Sequence, residues 1–166
     1  ACGVAGHALL LDCHSLSIEP VPVPPDVEVV AIHSGQQREL SGSAYAERRA
    51  ACETAEQVVG PLRLVRDAAR LEAIPDRVQR RRARHVVTEN LRVIAFADAL
   101  RAGDFGTAGE LMLASHNSLR DDFDVSTPAL DGLVAELAAS PGVHGARLTG
   151  AGFGGCVVAL AEPGAV

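Results

Sequence analysis

The 166-residue sequence has no lysine and no tryptophan, one tyrosine (Tyr45), one methionine (Met112) and four phenylalanines. Without lysine there can be no Walker-type phosphate loop, whose Gly-Lys-Ser/Thr needs that side chain; all 15 basic residues are arginine. With aromatics at only 3%, the core must be built from Val, Leu, Ile and Ala. A net charge of -6 argues against nucleic acid as a partner. No apolar run approaches the ~18 residues that cross a membrane, and no stretch has the pattern of a secretory leader. The four cysteines (Cys2, Cys13, Cys52, Cys156) show neither Cys-x-x-Cys nor Cys/His ligand spacing. That argues against a zinc site and suits structural thiols in a reducing cytoplasm. Because Met112 is the sole methionine, no residue here is an initiator, and the sequence reads as a segment of a longer polypeptide.

What is present is a globular composition, 48% hydrophobic and 22% charged, long enough for one domain with an appended piece. Its densest signal lies near the end. In Leu148-Thr149-Gly150-Ala151-Gly152-Phe153-Gly154-Gly155-Cys156 four glycines fall within six residues, between two apolar runs that read as buried strands. Two explanations fit this density. Glycines let a backbone approach a ligand closely, and successive N–H groups can cradle an anion; equally, glycine relieves strain in a tight hairpin or bulge. The loop does not have the Gly-x-Gly-x-x-Gly form that opens a dinucleotide-binding helix.

Taken in order, His7 to Cys13 reads as a short, largely buried strand, and Ile18 to Val23 as a strand confined by its prolines to an edge. Pro24-Pro25-Asp26 marks a domain boundary, and Val27 to Ile32 is a β-branched run expected to form a central strand. A helix is expected over residues 42–59, stopped by Gly60-Pro61, then a short helix over 67–74 and a long one over 76–101. In the long helix Val87, Leu91, Ile94 and Ala97 have the spacing of a buried face. A further helix is expected over 105–121, with Thr107 and Glu110 at capping-box spacing. Thr127-Pro128 has the pattern of N-cap and first helical residue for a helix to about Ala139. Ser140-Pro141-Gly142 then turns the chain into two strands around the glycine loop. The fold class is α+β, with helices packed on a mostly antiparallel sheet.

Several polar groups have chemical potential and an ordinary structural explanation beside it. Tyr45, Arg48 and Arg49 lie in the first turns of the 42–59 helix, where an exposed ring and a solvated basic face are the norm. Arg80, Arg81, Arg82 and Arg84 make a cluster that fits a solvated face paired with acids. His116 has the chemistry of a general base and Asp121-Asp122 that of an acid–base or metal pair, while the same residues also fit a capped, salt-bridged helix end.

Arg147-Leu148-Thr149-Gly150-Ala151-Gly152-Phe153-Gly154-Gly155-Cys156 resembles the third conserved motif of galactokinases, members of the GHMP kinase superfamily, whose usual form has glycine where this chain has Ala151. Resemblance to the same family extends to His7–Cys13 with Ser15-Leu16, to Ile32-His33-Ser34-Gly35, and to Ser43-Ala44-Tyr45 with Arg48 to Glu53. It continues through Arg84 to Asn90 and Ser115 to Phe123, five pieces in family order closed by the glycine motif. The resemblance implies the GHMP kinase C-terminal, ferredoxin-like domain over residues 25–166, truncated at its end, with residues 1–24 a remnant of the N-terminal kinase domain. It implies transfer of the ATP γ-phosphoryl group to the anomeric hydroxyl of α-D-galactose with Mg²⁺ in the intact enzyme, with the missing N-terminal half of the same chain as partner. By the same resemblance Tyr45 touches the sugar, and Gly150, Gly152, Gly154 and Gly155 lie near the transferred phosphate. The family's catalytic aspartate is matched by none of Asp12, Asp121 or Asp122, so no catalytic or metal-binding residue is expected within the segment, which alone should be inactive. A related sugar kinase and a non-catalytic galactose- and ATP-responsive sensor are the alternatives.

Overall fold

The computed structural model describes residues 3–37 and 42–166; Cys2 lies outside them, as does the Ser43 side chain. Strands β1 (His7–Leu11) and β2 (Ile18–Pro22) pair as an antiparallel ribbon of their own. Strand β3 (Glu28–His33) precedes helix α1 (Gly42–Val59), two 3₁₀ turns at Leu62–Leu64 and Ala68–Ala73, and helices α2 (Arg77–Ala102) and α3 (Phe105–Ser118). A π turn over Leu119–Phe123, helix α4 (Pro128–Ala138) and strands β4 (Val143–Leu148) and β5 (Cys156–Ala161) complete the chain. The main sheet is antiparallel in the order β3-β5-β4, so the α+β expectation holds.

The helix boundaries follow local chemistry. Asp76 caps α2 by accepting from the Gln79 amide at 2.8 Å, and Gly103, left-handed at φ 68°, ends it. Thr127 caps α4, with Pro128 in the first turn as expected. At α3 the cap is Asp104, whose Oδ1 accepts from the Thr107 amide at 3.0 Å; Thr107 is therefore the third residue inside the helix and not the start of a capping box with Glu110. The helix itself stops at Ser118 and widens into the π turn, three residues short of the expected end.

Three apolar clusters hold the layers together. One face of the sheet (Ala146, Leu148, Val157, Ala159) packs on α4 through Leu130, Val134 and Leu137. Leu160 and Val158 meet Ala97, Leu100 and Met112 from α2 and α3, with Val21 and Leu10 of the ribbon. The first half of α2 rests on α1 and the 3₁₀ turns through Ala83, Val87, Ala55, Leu71 and Ile74. Helix α3 lies against β4 at near backbone contact: a Cβ at Gly109 would sit 1.8 Å from the His144 carbonyl oxygen.

Three expectations are corrected. The strand at residues 28–33 is an edge, with Val29 60% exposed, because β5 is the run buried on both faces and takes the centre. Strand β1 is largely exposed: Leu10 packs on the apolar cluster of α2 and α3, while His7, Ala8 and Leu11 stay in solvent. In α2, Val87 and Ala97 are buried but Leu91 and Ile94 are 44% and 50% exposed. The two ends of this helix pack on different partners, and between them Leu91 and Ile94 belong to neither apolar cluster; the opposite side, through Glu89, Arg92, Val93 and Phe96, lines an open cavity of about 370 Å³.

Candidate functional site

The glycine loop joins β4 to β5 with backbone that ordinary residues avoid. Gly150, Gly152, Gly154 and Gly155 have φ of 79°, 79°, 111° and 87°, and Phe153, at 58°, is forced into the same region. Ala151 is not among the positive-φ residues, so its methyl group sits where any residue can sit. A Cβ at Gly152 would lie 2.2 Å from the Val125 carbonyl oxygen, and one at Gly154 would lie 3.1 Å from that of Gln37. The Phe153 amide donates to Val125 O at 2.7 Å and the Gly155 amide to Gln36 O at 3.1 Å. Ser34 returns a bond from its own amide to Gly155 O at 2.8 Å. Close approach is thus real here, and at Gly152 and Gly154 it is approach by the protein's own backbone.

The segment that receives Gly152 is itself fixed by two arginines. Arg48 of α1 donates through Nε to Phe123 O at 3.0 Å, and through Nη2 to Asp124 O at 3.0 Å and Asp124 Oδ2 at 2.9 Å. Its guanidinium carbon also lies 5.9 Å from the centre of the Phe153 ring. Arg82 of α2 donates to the same Asp124 Oδ2 at 2.8 Å and to Asp122 O. Asp124 is left-handed at φ 60°. Burial, and then the Arg48 charge, push the Arg82 guanidinium below its usual pKa. Arg82 is only 5% exposed, which corrects the expectation that the whole Arg80–Arg84 cluster is solvated. Arg80 meets the expectation through Glu72 at 2.8 Å, and Arg84 approaches Asp122 at 3.7 Å. Arg48 likewise belongs to no solvated face, whereas Arg49 does, pairing with Glu53 at 2.8 Å.

The other candidates resolve as follows. Tyr45, in the first turn of α1, is 51% exposed. His116 is buried between three elements. Its Nδ1 accepts from the Leu148 amide at 3.4 Å, which leaves the Nε2 hydrogen to bond Asp131 Oδ1 at 3.1 Å. Desolvation holds its pKa below the usual value, and no face is left for a reacting group. Asp121 is held by Arg120 through paired bonds of 2.8 and 2.9 Å. Asp122 accepts from Ser118 at 3.4 Å and faces Arg84, so the helix-end explanation of this segment is the one realised. A further polar cluster lies between α2, α3 and β4: Glu89 accepts from Ser115 at 2.5 Å and from Arg147 and Arg92 at 3.0 and 2.8 Å.

The strand–glycine loop–strand unit and the helices behind it have a counterpart among known proteins. Residues 96–166 match the family described as GHMP kinases C terminal. Residues 96–166 belong to the GHMP kinase C-terminal family. The chain is 48% identical over 172 aligned positions to the galactokinase of Chloroflexus aggregans, covering 98% of this chain and 44% of that protein. To the Homo sapiens galactokinase it is 47% identical over 169 residues, covering 98% and 43%. It superposes on the crystal structure of Lactococcus lactis galactokinase complexed with galactose at TM-score 0.87 and 37% identity, covering 95% of this chain and 43% of that one. The chain thus spans less than half the length of the curated relatives it matches.

Sequence reasoning missed Asp124 and the tertiary partners of Arg48 and Arg82. Asp124, two residues after Asp121-Asp122, carries no local pattern that sets it apart from them. The one available signal was Arg82, central in the basic run and next to Ala83.

Proposed function

We propose that this chain is the C-terminal portion of a galactokinase, which transfers the γ-phosphoryl group of ATP to the anomeric hydroxyl of α-D-galactose. The observation that carries it is identity of about 47% over nearly the whole chain to galactokinases, with Gly150, Gly152, Gly154 and Gly155 of the loop all present. In this proposal residues 1–24 belong with an N-terminal domain and residues 25–166 form the C-terminal one; the separate β1–β2 ribbon supports the division. Tyr45 offers its hydroxyl to the sugar, a directional contact from a rigid ring. The loop around Gly150, Gly152, Gly154 and Gly155 shapes the wall beside the transferred phosphate. Phosphoryl transfer asks for positioning and charge neutralisation more than covalent work by the protein. This chain contributes the positioning.

ATP and Mg²⁺ complete the reaction. The residues in hand do not fit a magnesium site: among the described residues no three carboxylate, imidazole or thiol groups converge, and Asp121 and Asp122 are engaged by Arg120 and Arg84. No step is assigned to a metal here, and the general base is assigned to the remainder of the intact enzyme. The test is galactose-dependent ADP production by the intact parent polypeptide and by the 166-residue chain in parallel. Activity in the parent alone is expected. A parent that turns over ATP with another sugar but not with galactose overturns the substrate. Stoichiometric ADP release by the chain alone overturns the assignment of its missing base.

A further inference from the structure

Arg48 and Arg82 come from different helices and converge on one short segment. Between them they bond the carbonyl oxygens of Asp122, Phe123 and Asp124 and share the Asp124 carboxylate. That segment leads directly into Val125, whose carbonyl receives the Phe153 amide and lies against the bare face of Gly152. Tyr45 stands on α1 three residues before Arg48, one helical turn away. A continuous path of short polar contacts therefore runs from the turn that bears Tyr45, through Arg48 and the Asp124 segment, to the glycine loop.

We infer that Arg48, Arg82 and Asp124 are positioning residues, forming a clamp that holds the Tyr45 end of α1 in register with the glycine loop. The inference rests on the sugar-kinase function proposed above for what the two ends do, and on the geometry alone for the clamp. The chemistry suits the task. Asp124 is exposed, so its ion pairs are partly screened and contribute little to stability by themselves. The bonds to three consecutive carbonyl groups are directional, and a planar guanidinium makes them where an ammonium group cannot match the geometry. Arg82 also keeps a second positive charge beside Arg48 in a buried position, an arrangement that the Asp124 carboxylate makes tolerable.

The variant that isolates the role is Arg48→Lys in the intact parent, since it keeps the charge and the stem but loses the fork. Asp124→Asn is its partner, because asparagine tolerates the left-handed backbone that Asp124 adopts and removes only the shared carboxylate. Both should lower kcat/KM for galactose roughly ten- to hundredfold, the scale of a misplaced reacting geometry. Arg49→Ala, which loses only an exposed pair with Glu53, should leave activity unchanged. In a double-mutant cycle with Tyr45→Phe, the two losses should be less than additive, because both act on the same contact. Additive losses that track the folded fraction overturn the clamp and leave a merely structural role. A wild-type parent with no galactose-dependent activity overturns the proposed function instead. Hydrogen exchange then still decides the clamp. In Arg48→Lys the Phe153 and Gly155 amides should exchange at least about tenfold faster while α4 amides are unchanged, and equal rates for the loop amides refute it.

Discussion

A methyl group at position 152 would have to occupy the space of a carbonyl oxygen. The backbone there is left-handed at φ 79° and the Val125 oxygen lies 2.2 Å from where Cβ would be. Gly152→Ala should therefore destabilise the fold by at least about 2 kcal/mol, combining the ~1–2 kcal/mol cost of a left-handed L-residue with the displaced Phe153–Val125 bond. Ala151→Gly, one position earlier and free of that geometry, should cost no more than about 1 kcal/mol. Thermal unfolding of the two variants side by side checks the contrast. Tyr45→Phe belongs to the same scale and opposite outcome: stability unchanged, because the ring is half in water, and in the parent a galactose KM raised by the equivalent of about 0.5–1.5 kcal/mol. An unchanged KM removes Tyr45 from the sugar site. The need for glycine at 150–155 was plain in the sequence, yet its cause at 152 was not, because spacing along a chain does not tell which backbone will approach. The same limit hid Asp124, whose importance comes wholly from two arginines 42 and 76 residues away.

Helices and strands were more legible than single contacts where their signals are local. Thr127-Pro128, Gly60-Pro61 and Gly103 act on their own neighbours and mark ends that the structure reproduces. Which strand is central and which helix face is buried depends on partners distant in sequence, and there Val27–Ile32 and the Leu91–Ile94 face were misjudged. The α3–β4 contact shows the same dependence. A mid-helix glycine ordinarily weakens a helix by ~1 kcal/mol relative to alanine. Gly132 in α4, with nothing within 4 Å of its Cβ position, should follow that rule, so Gly132→Ala is expected to stabilise by about 0.5–1 kcal/mol. Gly109→Ala should do the opposite and cost more than about 2 kcal/mol. Its Cβ would fall 1.8 Å from His144 O, and neither α3 nor β4 can move without opening the sheet from its layer. Urea midpoints that shift in the same direction for both variants refute the tight α3–β4 contact.

For the molecule as a whole, acid stability draws on imidazole burial as well as on carboxylates. His85 is packed against Phe123 with its Nδ1 3.0 Å from the Ser118 hydroxyl. Desolvation lowers its pKa to about 4, against the counter-pull of Glu89 and Asp122 and with help from the Arg92 and Arg147 charges. His116 is shifted in the same direction, also mainly by desolvation. A group with a depressed folded pKa binds its proton more readily in the unfolded chain. Stability is therefore fully present above the unfolded value of about 6.5 and drains away as pH falls toward 4. For His85 alone the loss amounts to at most roughly 3–4 kcal/mol, from the pKa difference at about 1.4 kcal/mol per unit. Glu89 adds a later step, because Ser115 and Arg147, outweighing its desolvation, lower its pKa, and its contribution is lost only below the ordinary glutamate range. Unfolding free energy followed by urea titration should thus rise between pH 4 and 6.5 and level off above. In His85→Gln, which keeps a polar partner for Ser118 without a titrating ring, the slope across that window should fall by about one proton while the steeper loss below pH 4.5 persists. An unchanged slope would mean that His85 is already accessible to protons in the native state, and that the contact of α2 with the π turn opens far more readily than its packing implies.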